Sequence, residues 1–138
     1  MAHRFFMQRI LLVAMLGLAA CSSDSQEMWR VVSPVSRVDA VFVRFGGPAM
    51  VGFSYKLFIV PHGATVPSKG ERLLAERVKN LSVAWREGRT LDIRYDEALI
   101  YGFMNYWHSK EVDDHKYVVE LRLVPTGPSQ LGEIKTGR

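Results

Sequence analysis

The chain has one cysteine in 138 residues, Cys21. Without a second thiol no disulfide can form within it, so a stapled secreted scaffold is excluded, and a cysteine-built zinc site with it. No apolar run reaches the ~20 residues of a membrane-spanning helix. A strong excess of one charge is also missing. Lys and Arg number 18 against 14 Asp and Glu, for a formal net charge of +4. The basic residues are scattered singly, which gives nucleic acid no stripe to follow. There is no phosphate loop, no dinucleotide fingerprint and no Gly-x-Ser-x-Gly elbow, and Ser54 and Ser82 fall mid-strand by pattern.

What is present begins with an address. Met1 to Arg9 carries Arg4 and Arg9 and no acid, and Ile10 to Ala20 is apolar and ends in small residues. A charged start, a short apolar core and a small-residue end form the plan of a secretory signal. Two of the 18 basic residues fall in it, leaving 16 against 14 in the remainder.

Leu18-Ala19-Ala20-Cys21 resembles the lipobox of bacterial lipoproteins at all four positions. The resemblance implies cleavage between Ala20 and Cys21 and a lipid on the Cys21 thiol. Cysteine-nucleophile and thioredoxin-like chemistry then fall away, because no free thiol is left. Ser22, where enterobacterial inner-membrane lipoproteins carry aspartate, implies the outer membrane, facing the periplasm. Two or more acyl chains, at about 0.8 kcal/mol per buried CH₂, make a stable anchor. The expected organisation is a signal peptide over 1–20, a lipidated tether over 21–27, a β domain over 28–125 and a flexible tail over 126–138.

Within the domain the signal is alternation. Met28 to Val32 and Arg37 to Phe45 are rich in β-branched and aromatic residues, and Ser33-Pro34 separates them. Ala49 to Val60 has period two with apolar residues on both faces, which indicates a central strand. Arg72 to Val78 reads as strand, with a one-turn helix as the alternative. Leu81, Val83 and Trp85 alternate, then Leu91, Ile93 and Tyr95, around Glu87-Gly88-Arg89-Thr90, which predicts a hairpin. In it Trp85 points inward and Arg86 outward. Ala98 to Trp107 reads as one strand covered on both sides, with a bulge or close backbone approach at Gly102. Ser109 to Lys116 is a charged loop, and Tyr117 to Val124 the last strand. The fold class is therefore all-β, a small antiparallel sandwich or barrel of about seven to eight strands.

Two stretches are similar to strand-turn-strand units of TolB-type propeller blades: Ser33-Pro34 with Arg37 to Val41, and Leu81 to Trp85 leading over Gly88 to Ile93. Val35 and Ser36 stand where those blades carry Asp and Gly, and four blades would be needed for a propeller. The spacing, with Gly46-Gly47 and Phe53-Tyr55, also resembles small bacterial lipoproteins of unknown function. Neither resemblance implies an activity.

Candidate chemistry is sparse. His108, Asp113, Asp114 and His115 surround one loop and hold metal-ligand atoms, without a recognised ligand spacing. Asp92, Asp96 and Glu97 flank a turn as an acid/base candidate. Trp85, Tyr101, Phe103, Tyr106 and Trp107 form an aromatic band suited to a binding face. The expectation is a non-enzymatic, lipid-anchored envelope protein with a binding or structural role and no cofactor. Its partners would be the membrane, through Cys21, and an envelope protein or a peptidoglycan-associated partner, not nucleic acid. A lysozyme-inhibitor-like lipoprotein and a small metal-dependent enzyme are the alternatives. Those inhibitor families carry cysteine pairs and a Ser-Gly-rich loop, and this chain has neither.

Overall fold

The computed structural model describes residues 25–46 and 52–127, so the expected signal, the lipobox and the tail beyond Gly127 lie outside it. The described chain is all-β. In order its strands are β1 (Ser25–Val32), β2 (Val38–Gly46), β3 (Phe53–Pro61), β4 (Leu73–Lys79), β5 (Ser82–Arg86), β6 (Thr90–Tyr95), β7 (Glu97–Phe103), β8 (Tyr106–Trp107) and β9 (Val119–Pro125). One sheet has the order β1-β2-β3-β4-β7 and the other β5-β6-β9-β8. Together they make a small β-sandwich.

Period-two patterning explains the layers. Val38, Ala40 and Phe42 of β2, Leu57 and Ile59 of β3, and Leu73 and Ala75 of β4 face inward from the five-stranded sheet. Leu91 and Ile93 of β6 and Val119 and Leu121 of β9 meet them from the other side. Trp29 stacks on Phe42 with ring centroids 4.8 Å apart, an aromatic contact worth about 0.5–1.5 kcal/mol beyond its buried area. The predicted hairpin is present. Trp85 lies opposite Leu91, and Glu87 and Gly88 turn the chain with φ of 49° and 73°. Leu81, Val83 and Trp85 pack on the core together. The indole N–H of Trp85 also donates to the Val31 carbonyl at 3.1 Å, which ties β5 to β1 where neither sheet continues.

β3 is central, and its two apolar faces have two different covers. Its inner face meets the core, while Phe58 and Val60 join Val41 and Val43 of β2 in a second cluster on the outer face. Ala64 and Val66, from the loop after β3, pack over that cluster. The ambiguous stretch is strand β4, because Leu73 and Ala75 are buried while Glu76 and Arg77 are not.

Five details depart from expectation, and one expected irregularity is present. The run expected as one strand over 98–107 breaks at Met104-Asn105 and passes between sheets, giving β7 in one and β8 in the other. β7 is an edge strand with Leu99 and Tyr101 exposed, so it is not covered on both sides. The irregularity expected at Gly102 is there: Leu74 pairs with Gly102 and Ala75 with Ile100, leaving Tyr101 as the extra residue of a bulge. β6 and β9 run parallel, which their long connection through β7 and β8 permits. β1 begins at Ser25, inside the stretch expected as tether, and Ser25 to Glu27 pair with Phe45 to Val43. At the other end Thr126 is held against Tyr95 and Asp96. The two stretches similar to blade units are the β1–β2 turn with β2, and the β5–β6 hairpin, in different sheets.

Candidate functional site

The loop over the outer cluster makes one wall of a groove. Its floor is Val43, Phe45 and Phe58 with Lys56, its far wall is Ser25, Glu27 and Arg30 of β1, and Gly63 to Ser68 close the near side. The volume is about 620 Å³, within the range of small-ligand sites. Lys56 lies over the Phe45 ring, 4.7 Å from its centroid, and 3.8 Å from Glu71.

A buried carboxylate holds the loop down. Asp39 shares the outer face of β2 with Val41 and Val43 and is fully buried. A charge there must be paired and hydrogen-bonded. Gly63 N–H donates to Oδ2 at 2.9 Å, Arg30 Nη1 donates to Oδ2 at 2.9 Å, and His62 Nδ1 lies 2.8 Å from Oδ1. Arg30 in turn grips Glu27 with Nε and Nη2, at 3.0 and 3.3 Å. The result is a chain Glu27–Arg30–Asp39–His62 crossing from β1 over β2 to the loop. Burial alone pushes the Asp39 carboxyl upward. The Gly63 N–H, His62 and Arg30 outweigh it and hold the group below the ordinary aspartate range. Arg30 is raised, by its hydrogen bonds to Glu27 and Asp39.

With Nδ1 engaged by Asp39, His62 has Nε2 left over, and its side chain is half exposed. The adjoining cleft is lined by Arg37, Pro61, Glu111, Val112 and Asp113 as well as His62. No hydroxyl or thiol side chain is among those lining residues, so an Asp-His-nucleophile arrangement is not assembled there. What the Asp39–His62 pair does in this fold is fix the first residues of the groove's loop.

The residues singled out by sequence are dispersed. Trp107 is in the core, Phe103 packs on it, and Trp85 bridges the two sheets. Tyr101 is 60% exposed on the edge strand β7, and Tyr106 is 45% exposed on the second sheet. The aromatic band therefore presents no single face, because the chain changes sheets inside it. His108 and His115 do meet, Nδ1 to Nδ1 at 2.8 Å, with Tyr106 stacked on His108. Asp113, Asp114 and His115 form a turn with φ of 53°, 45° and 67°, and both aspartates are exposed. Among the described residues no three His, Cys, Asp or Glu side chains gather as metal ligands do. Asp96 is held by Asn80 and Thr126, which lower its pKa, and Glu97 pairs with Lys79 at 2.7 Å. Asp92, expected to flank a turn as an exposed acid, lies in β6 and is buried. Ala20 and Cys21 lie outside the described residues.

The chain matches no protein-family model, no curated protein and no solved structure.

Asp39, Arg30 and His62 were not singled out from sequence. A signal was there: a lone carboxylate on the strand face that also carries Val41 and Val43 must be buried and partnered. The partner His62, 23 residues further along the chain, was not legible.

Proposed function

We propose that this protein is a lipid-anchored component of the bacterial cell envelope, non-enzymatic, whose sandwich binds a partner. The supporting observation is the complete Leu18-Ala19-Ala20-Cys21 motif at the end of an export signal, with β1 starting only four residues after Cys21. Four residues span at most about 14 Å, so an anchored domain rides on the headgroups with its β1 end toward the bilayer. The groove walled by Ser25 and Glu27 is then close to the membrane. Its apolar floor and the Lys56 cation suit an apolar side chain beside an acidic group on an envelope protein. Among the described residues no helix is long and apolar enough to cross a membrane.

The test is metabolic labelling with a palmitate analogue followed by separation of inner and outer membranes. The expected result is label in the outer-membrane fraction that disappears in Cys21→Ser. Unchanged label in that variant, or a wild-type chain without label, would refute the anchor.

A further inference from the structure

On the outer face of the four-stranded sheet, a buried carboxylate lies among three arginines. Asp92 of β6 points away from the core, since its neighbours Leu91 and Ile93 are core residues, yet it is only 3% exposed. Its Oδ2 is 3.5 Å from Arg86 Nε and 3.9 Å from Arg94 Nη2. Its Oδ1 has no hydrogen-bond partner. Arg122 stands opposite Asp92 in the register of β9, and Arg122 makes no side-chain hydrogen bond or ion pair among the described residues. Thr90, Glu120 and Tyr106 form the next row across the same face.

Two needs are left open on one flat face. A buried carboxylate oxygen wants a donor, and guanidinium N–H groups want acceptors. A cation would supply the donor but meets three arginines. A fully ionised anion would satisfy the arginines but offers Asp92 nothing and is repelled by Asp92 and Glu120. A hydroxyl group does both at once, and adjacent hydroxyls on a ring do so repeatedly. Tyr106, exposed and two strands away, adds an aromatic surface of the kind that packs on the apolar face of a sugar ring. From strand spacing and rise, Tyr106 is about 10 Å across and 7 Å along the sheet from Asp92, the reach of a short oligosaccharide.

We infer that the outer face of the β5-β6-β9-β8 sheet is a saccharide-binding surface. Arg86, Arg94 and Arg122 donate to ring hydroxyls, Asp92 accepts from them once the half-exposed Arg86 and Arg94 side chains draw aside from it onto the ligand, and Tyr106 stacks on a neighbouring ring. This site is separate from the groove on the other sheet and does not depend on the lipid anchor.

The test is isothermal titration calorimetry on the full chain in detergent micelles. The probes are a β-1,4-linked tetrasaccharide of N-acetylglucosamine, a mannose tetrasaccharide and inorganic phosphate. Binding of at least one saccharide is expected. Asp92→Asn should weaken it about tenfold or more, the loss of one charge-assisted hydrogen bond. Tyr106→Ala, at an exposed position, leaves the fold intact and should weaken it about fivefold or more. The N-acetylglucosamine probe stands for peptidoglycan-type glycan and the mannose probe for other envelope polysaccharide, so the preferred probe identifies the source. No heat with either saccharide up to about 10 mM, or saccharide binding that both variants leave unchanged, overturns the inference. Binding of phosphate alone overturns it too, and makes the face an anion site.

Discussion

Removing the Asp39 carboxylate should loosen the groove's loop and lower the stability of the whole domain. The magnitude follows from its three partners. Gly63 N–H would lose a charged acceptor from a part-buried hydrogen bond, which costs about 1.5–3 kcal/mol. Arg30 is a quarter exposed and keeps Glu27, and His62 is half exposed, so water compensates both. Each of those contributes no more than about 1 kcal/mol. Asp39→Ala should therefore destabilise by about 2–4 kcal/mol, out of the roughly 5–15 kcal/mol of a small domain. Asp39→Asn keeps the shape and an acceptor for Gly63, and should cost about half as much. In urea, the Ala variant should unfold at a midpoint lower by about 1–3 M. The pH dependence is a second check. The native carboxyl is held below its ordinary range, so its contribution is complete above the unfolded value near 3.9 and is lost as pH falls through the lower native value. The stability gap between wild type and Asp39→Asn should be constant above about pH 5 and narrow below about pH 4. An unchanged urea midpoint in Asp39→Ala, or a gap that widens on acidification, would refute the view that this carboxylate is charged and pins the loop.

Trp85→Ala should cost about 3 kcal/mol, the lower end for a core tryptophan because the ring is only partly buried; urea unfolding measures it, and a cost below that of Trp85→Phe would contradict the inward assignment. Arg86→Ala, which sequence alone marks as a neutral outward change, should instead cost about 1 kcal/mol, because Asp92 beneath it loses its nearest cation; an effect within experimental error would show that Arg94 and Arg122 suffice. At Gly127 an added Cβ would sit 2.5 Å from the Asp96 carbonyl oxygen. Gly127→Ala should therefore release Thr126 from Tyr95, seen as faster exchange of the Thr126 amide hydrogen, while amides of β2 and β3 keep their protection.

The strands were legible wherever alternation was clean. Leu81 to Tyr95 announced its hairpin, and the doubly apolar β3 announced a central strand with both faces covered. What covers its outer face was not legible, because Ala64 and Val66 are too few to form a pattern. The break at Met104-Asn105 left only a faint mark, since Asn105 is a lone turn former and the aromatics on either side read as continuous. The candidate sites fared worse than the fold. Asp92, between Leu91 and Ile93, looks like the polar half of an alternating strand. Burial of such a residue depends on what the rest of the chain lays over it, and periodicity carries no such information.

The strand order of the second sheet has a bearing on how the chain is made. β9 is the last of the described strands to be synthesised, yet it sits between β6 and β8 and supplies Val119 and Leu121 to the core. The first four strands meet their neighbours in sequence and can pair while the chain is still emerging. The sheet built on the β5–β6 hairpin cannot be completed until β9 is available, so one half of the sandwich waits for that strand. A chain stopped anywhere before Val119 would leave the inner face of the five-stranded sheet without Val119 and Leu121, and β6 and β8 without the strand that joins them.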